Sequence, residues 1–67
     1  MTNLQRVRRN KGLTQQELAR NSGVSVKMIQ KYEQGIRSIN KAATVTTVKL
    51  ALALGCGITE LLEIEGK

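Results

Sequence analysis

The chain has 67 residues, a formal net charge of +6 and a pI near 10.1, enough for one domain that buries about 60% of its unfolded surface and for no second, ligand-sensing one. With one cysteine, five acidic residues and no histidine or aspartate, it holds no internal disulfide and no Cys-His or Ser-His-Asp arrangement, so neither an enzyme nor a cofactor or metal site is expected. Nothing resembles a secretory leader or the roughly 20-residue apolar run of a membrane span, which makes the reducing cytoplasm the expected location.

The charge is unevenly placed. Through Lys41 there are nine Lys or Arg against two Glu; from Ala42 onward there are two against three. An anionic partner should therefore meet the first half.

Thr2 can cap a first helix running to about Asn10, with Leu4 and Val7 on one side and Arg6 and Arg9 on the other. Gly12 ends that turn. Thr14 and Glu17 then form a Thr-x-x-Glu capping box, each side chain satisfying the other residue's backbone N–H, which fixes a second helix starting at Gln15. Leu18 and Ala19 form its buried edge, and Gln15, Gln16 and Arg20 face outward.

Gly23 sits just past this helix, where the chain must take a left-handed conformation that a Cβ resists. Ser25 caps a third helix reaching Gln34 and stopped by Gly35; its inner face is Met28, Ile29 and Tyr32. Ile29, with Leu18, Val24 and Tyr32, fills the angle between helices two and three.

The loop from Gly35 to Ile39 carries Arg37, and Asn40 is expected to cap a fourth helix ending at Leu54. Val45, Val48, Ala51, Leu52 and Leu54 make that helix apolar around most of its circumference. A last turn or two from Ile58 to about Glu63 should bury Ile58, Leu61 and Leu62, with fraying beyond. Cys56 reads as a small buried apolar group. Its flanking glycines make no phosphate loop, because the lysine and following serine or threonine are missing.

The stretch Leu13 to Gly35, LTQQELARNSGVSVKMIQKYEQG, joins a small residue at Ala19, a turn glycine at Gly23 and an aliphatic residue at Ile29. Two helices crossing at about 90 to 120° approach closely only where the crossing point is small. With these positions the chain resembles the phage repressor and Cro type of helix-turn-helix DNA-binding domain, the XRE-like family. The likeness extends upstream through Leu4, Val7, Arg8 and Asn10 to Leu13, and downstream through Ala51 to Gly55 and Ile58 to Leu62. Three departures stand out: Gly57 where a capping side chain would open a fifth helix, Thr47 where a leucine is common, and Val45 and Leu52 where charged or polar residues are common.

The resemblance implies an all-α, compact bundle of five short helices, a lambda-repressor-like domain over residues 1–67 with its helix-turn-helix at about 14–34. It also implies that the outward face of the third helix enters the DNA major groove. On that face Val26, Lys27, Gln30 and Lys31 are the candidates for base contacts: lysine donates to guanine, glutamine pairs with adenine and a valine methyl meets the thymine methyl. Lys27 and Lys31 could equally grip phosphates, and the plain alternative is a solvated helix face. Gln15, at the positive end of the second helix, is a phosphate candidate. Ser25, Gln34, Arg37 and Lys41 join it through resemblance and charge.

The family often pairs an arginine of helix one with a glutamate of helix three, which implies a structural ion pair between Arg8 and Glu33. The alternative is two unrelated surface charges of little worth. Val45 and Leu52, seven residues apart on one stripe, are either core in a slightly rotated helix or, with Leu61 of the fifth helix, a homodimer interface.

The function this implies is a sequence-specific, double-stranded-DNA-binding transcriptional regulator of bacterial or phage origin, a repressor in preference to an activator. So small a domain reads few bases, so a homodimer on an inverted repeat is expected. A reading of another class keeps the fold as a protein-interaction module, an antitoxin or antirepressor-controlled subunit whose partner is an antirepressor or toxin protein.

Overall fold

The computed structural model describes residues 1–63. In order they form α1 (Asn3–Asn10), α2 (Gln15–Ser22), α3 (Val26–Gln34), a 3-10 turn (Ile39–Lys41), α4 (Thr44–Leu54) and a second 3-10 turn (Ile58–Glu60), with no strand among the described residues. No helix among them is long and apolar enough to cross a membrane.

The first three helices start and stop where their capping residues stand. The Thr2 hydroxyl accepts from the Gln5 N–H at 3.2 Å. In the box at α2, Glu17 N–H donates to the Thr14 hydroxyl at 3.0 Å and Thr14 N–H donates to the Glu17 carboxylate at 2.9 Å. Ser25 accepts from the Met28 N–H at 3.2 Å. Each such cap is worth about 1 kcal/mol to its helix. The turn between α2 and α3 is made by Gly23 at φ +77°, whose N–H donates to the Ala19 carbonyl at 2.9 Å. No atom lies within 4 Å of where a Cβ would stand there, so the demand for glycine is one of backbone conformation alone.

The fourth helix begins later than expected. Asn40 does not cap it. The residue lies inside the first 3-10 turn, where its carboxamide donates to the Glu63 carbonyl and accepts from the Glu63 N–H, both at 2.8 Å. Ala42 and Ala43 are extended, and α4 starts at Thr44 with Ala43 at the cap position and no side-chain hydrogen bond. Thr47, the departure from leucine, is buried with its hydroxyl donating to the Ala43 carbonyl at 3.3 Å, which satisfies the group that burial would otherwise leave unpaired.

The expected fifth helix is one 3-10 turn. Gly57 offers no capping side chain, and the Glu60 carboxylate accepts from the Gly57 N–H at 3.0 Å to close a single turn. Continuation is then prevented, because the backbone of the next residues is taken elsewhere. The Leu62 carbonyl accepts from the Asn3 carboxamide at 2.8 Å, the Glu63 carboxylate accepts from the Asn3 N–H, and Asn40 holds the Glu63 backbone. Of the three residues expected to be buried here, Leu61 is fully buried, Leu62 is half-buried and Ile58 is 38% exposed. The fraying expected from Ile64 to Lys67 lies outside the described residues.

Leu4, Leu18, Ile29, Leu50 and Leu61 are the fully buried large side chains, one or more from every helix and from the residue closing the last turn. Each contributes about 1.5–3 kcal/mol by leaving water. Val7, Val24, Tyr32, Ile39, Ala51 and Leu54 complete this core, and Ala19, Met28 and Cys56 pack partly buried against it. α2 packs on both α3 and α4, so the core holds α3 from behind and leaves its other face outward. Burial pushes the Cys56 thiol above its ordinary value, the nearby Glu60 adding to the shift and Lys11 opposing it. At neutral pH the group therefore stays a protonated thiol, in keeping with a packing role.

Candidate nucleic-acid interface

α3 presents Lys27, Gln30 and Lys31 exposed and Val26 half-buried, while Ile29, Tyr32 and Glu33 are buried. Lys27, Gln30 and Lys31 lie three and four residues apart, so they stand together one turn above the other on one face. Around that face lie other candidates. Ser25, Gln34, Arg37 and Lys41 are all exposed. The Arg37 N–H donates to the Lys31 carbonyl at 3.2 Å, which ties the start of the Arg37 loop to the end of the helix.

The electrostatics of this half follow from where its two glutamates go. Glu17 is spent on the α2 capping box. Glu33 is buried against Arg8: the guanidinium Nε donates to Oε2 at 2.6 Å and Nη2 donates to Oε1 at 3.0 Å, a bidentate pair with side chains 9% and 2% exposed. The remaining Arg8 Nη1 donates to the Leu13 carbonyl at 2.8 Å, so the same side chain fastens α1 to the chain entering α2 and to α3. Among the described residues no other ion pair forms. Within that set the positive charges of Lys27, Lys31, Arg37 and Lys41 consequently face outward without a carboxylate partner, and their field reaches about 8–10 Å into physiological salt.

Gln15 is placed less simply than an outward-facing phosphate donor. It is half-buried; its Nε2 donates to Glu33 Oε1 at 2.9 Å and its Oε1 accepts from Gln30 Nε2 at 3.4 Å. The sequence carries no local sign of this, since the contacts span 18 and 15 residues. The one hint is chemical: a glutamine opening one helix and a buried carboxylate closing the next can meet when the helices cross near their ends. Asn3 and Asn40, which hold the backbone of Leu62 and Glu63, were equally hidden.

On α4 the apolar stripe is exposed. Val45 is 63% and Leu52 77% exposed, so neither belongs to the core of a rotated helix. Leu61 corrects the grouping made from sequence. It is 0% exposed inside the core and has no surface to offer a second molecule, because the last turn folds inward against α4 and α1.

These features agree with what comparison finds. The chain matches the helix-turn-helix family over residues 4–61. It is also 39% identical over 61 residues, covering 91% of this chain and 75% of the relative, to an uncharacterized HTH-type transcriptional regulator, y4dJ, of Sinorhizobium fredii. No solved structure matches significantly. The turn glycine, the capped helices around it and the match over nearly the whole chain have one meaning: this chain belongs to the Cro/C1-type, XRE-like helix-turn-helix family of DNA-binding domains.

Proposed function

We propose that residues 1–67 are one DNA-binding domain of a transcriptional repressor that acts in the cytoplasm, binding an inverted-repeat operator as a homodimer with α3 in the major groove. The observation that carries the reading is the outward face of α3. Lys27, Gln30 and Lys31 are exposed on a helix held from behind by the core, and the acidic residues of this half are engaged elsewhere. Gln30 and the two lysines read base edges, assisted by Val26. Ser25, Gln34, Arg37, Lys41 and the second N–H of Gln15 hold phosphates, which sets the register without chemistry. The bound protein represses by occupying DNA that polymerase or a competitor needs.

The homodimer is supported by Val45 and Leu52, exposed apolar residues on one stripe of α4 that would leave water against a second copy. The same stripe favours a second reading, in which the chain is a protein-interaction module and the stripe binds an antirepressor or toxin protein.

Selection of bound sequences from a random duplex pool at two salt concentrations tests both. The repressor reading expects an enriched inverted repeat with half-sites about one helical turn apart. With about five phosphate contacts per subunit, log affinity should fall against log salt with a slope of roughly −4 to −5, and about twice that for the dimer. Enrichment of a single half-site would remove the dimer from the proposal. No enrichment at any salt would sink sequence-specific regulation and leave the interaction module.

A further inference from the structure

We infer that Gln15 is a positioning residue for base reading: its carboxamide, oriented by the buried Glu33, turns the amide of Gln30 so that the Gln30 carbonyl faces the DNA. This rests on the proposed reading of α3 as the base-reading helix and deepens it.

The buried carboxylate fixes the direction of each hydrogen bond in turn. Both Glu33 carboxylate oxygens accept from the Arg8 guanidinium, so this side chain faces its neighbours as an acceptor. Its Oε1 already accepts from Arg8 Nη2 at 3.0 Å and accepts again from Gln15 at 2.9 Å. Gln15 must therefore turn its NH2 group toward Glu33; the opposite orientation would set two oxygens against each other beside a charge. With the nitrogen so committed, the Gln15 carbonyl is the atom left facing Gln30, and only the Gln30 NH2 group can satisfy it, at 3.4 Å. The polarity of the buried pair is passed outward through two amides whose orientations would otherwise be free.

Gln30 is exposed, and an unguided glutamine there would sample many rotamers and both amide orientations. Held by Gln15 through one N–H, it offers its carbonyl oxygen and its second N–H to the groove. That is the donor-acceptor pair which meets adenine N6 and N7. Gln15 thus contributes to specificity without touching a base, and its half-buried position between α2 and α3 is what makes it stiff enough to do so.

Two substitutions separate this role from a merely structural one. Gln15→Met keeps length and helix preference and removes both polar atoms. Gln15→Lys retains a donor for Glu33, so the fold keeps that contact, while removing the carbonyl that Gln30 needs. Selections from the random duplex pool with the wild type, Q15M, Q15K, Q30A and the Q15K/Q30A double variant, each checked for folding by thermal melting, give the test. The wild type should prefer adenine at one base pair of each half-site, and Q30A should lose that preference. Q15M and Q15K should lose about two- to tenfold of the preference at that same base pair and nowhere else. The double variant should lose no more than Q30A alone. Retention of the preference in Q15K, or an equal weakening of the base preferences at all positions of the half-site, overturns the inference while leaving the repressor reading standing. A wild-type pool without any enrichment overturns both.

Discussion

Replacing Glu33 with alanine should lower the stability of the folded chain by about 3–5 kcal/mol, because the Arg8 guanidinium is then left buried without its counter-charge. Both side chains are nearly inaccessible, so water cannot take over the role of the missing carboxylate. A domain of 67 residues has about 3–10 kcal/mol of stability in all, so this single change consumes much or all of it. At about 4–8 °C per kcal/mol for chains of this size, the thermal midpoint should fall by at least about 12 °C. The alternative, that the two are ordinary surface charges, predicts a change within about 1 kcal/mol. Circular dichroism melts of wild type and E33A decide between them. The double variant Arg8→Met with Glu33→Leu should recover most of the loss, since apolar residues of similar volume need no partner in a low-dielectric interior. A double variant as unstable as E33A would show that removing the stranded charge does not by itself restore the fold, because the double variant also loses the bond from Arg8 to the Leu13 carbonyl.

Changing Lys27, Lys31 and Arg37 together to alanine should leave that melt within about 1 kcal/mol of wild type, since substitutions at exposed sites away from packing or hydrogen-bond networks are nearly silent. All three side chains are exposed and none has an acidic partner among the described residues. DNA affinity should fall by about a hundredfold or more per half-site, at about 1–3 kcal/mol for each side chain that no longer reaches a base or phosphate. If all three engage phosphates, the salt slope should shrink by about 2.7 per subunit. If Lys27 or Lys31 instead reads a base, the slope changes less and the enriched sequence relaxes at one position. Titration of a labelled operator duplex at several salt concentrations measures both quantities. Unchanged affinity in the triple variant, with the fold intact, would remove α3 from the DNA interface and favour the interaction module.

The helices that frame the interface were legible because their signals are local. Thr14 and Glu17 are three residues apart, Ser25 stands at the start of α3, and Gly23 and Gly35 mark where two helices stop. Such short-range chemistry survives in almost any tertiary surrounding. Asn40 failed for the opposite reason. A helix-capping residue by type, it is drawn away by backbone 23 residues distant, and α4 begins four residues later without a side-chain cap. The last turn failed likewise, its extension stopped by Asn3 from the far end of the described chain. At the site, the outward residues of α3 followed from helical spacing. The part Gln15 plays did not, because a carboxamide beside a buried carboxylate depends on how two helices cross and not on either one alone.

The length of α3 sets a limit on information. Its nine residues extend about 13.5 Å, and the stretch from Val26 to Lys31, which on the proposed reading faces the groove, covers about 7.5 Å of that, or two to three base-pair steps of about 3.4 Å. One copy can therefore distinguish some three or four base pairs, roughly six to eight bits, and two copies roughly twelve to sixteen. Singling out one site among about a million needs roughly twenty bits. On the proposed reading, no improvement of the four reading residues closes that gap. The remainder has to be held in the DNA itself, in how readily the bases between half-sites bend and twist, or in several operators placed side by side.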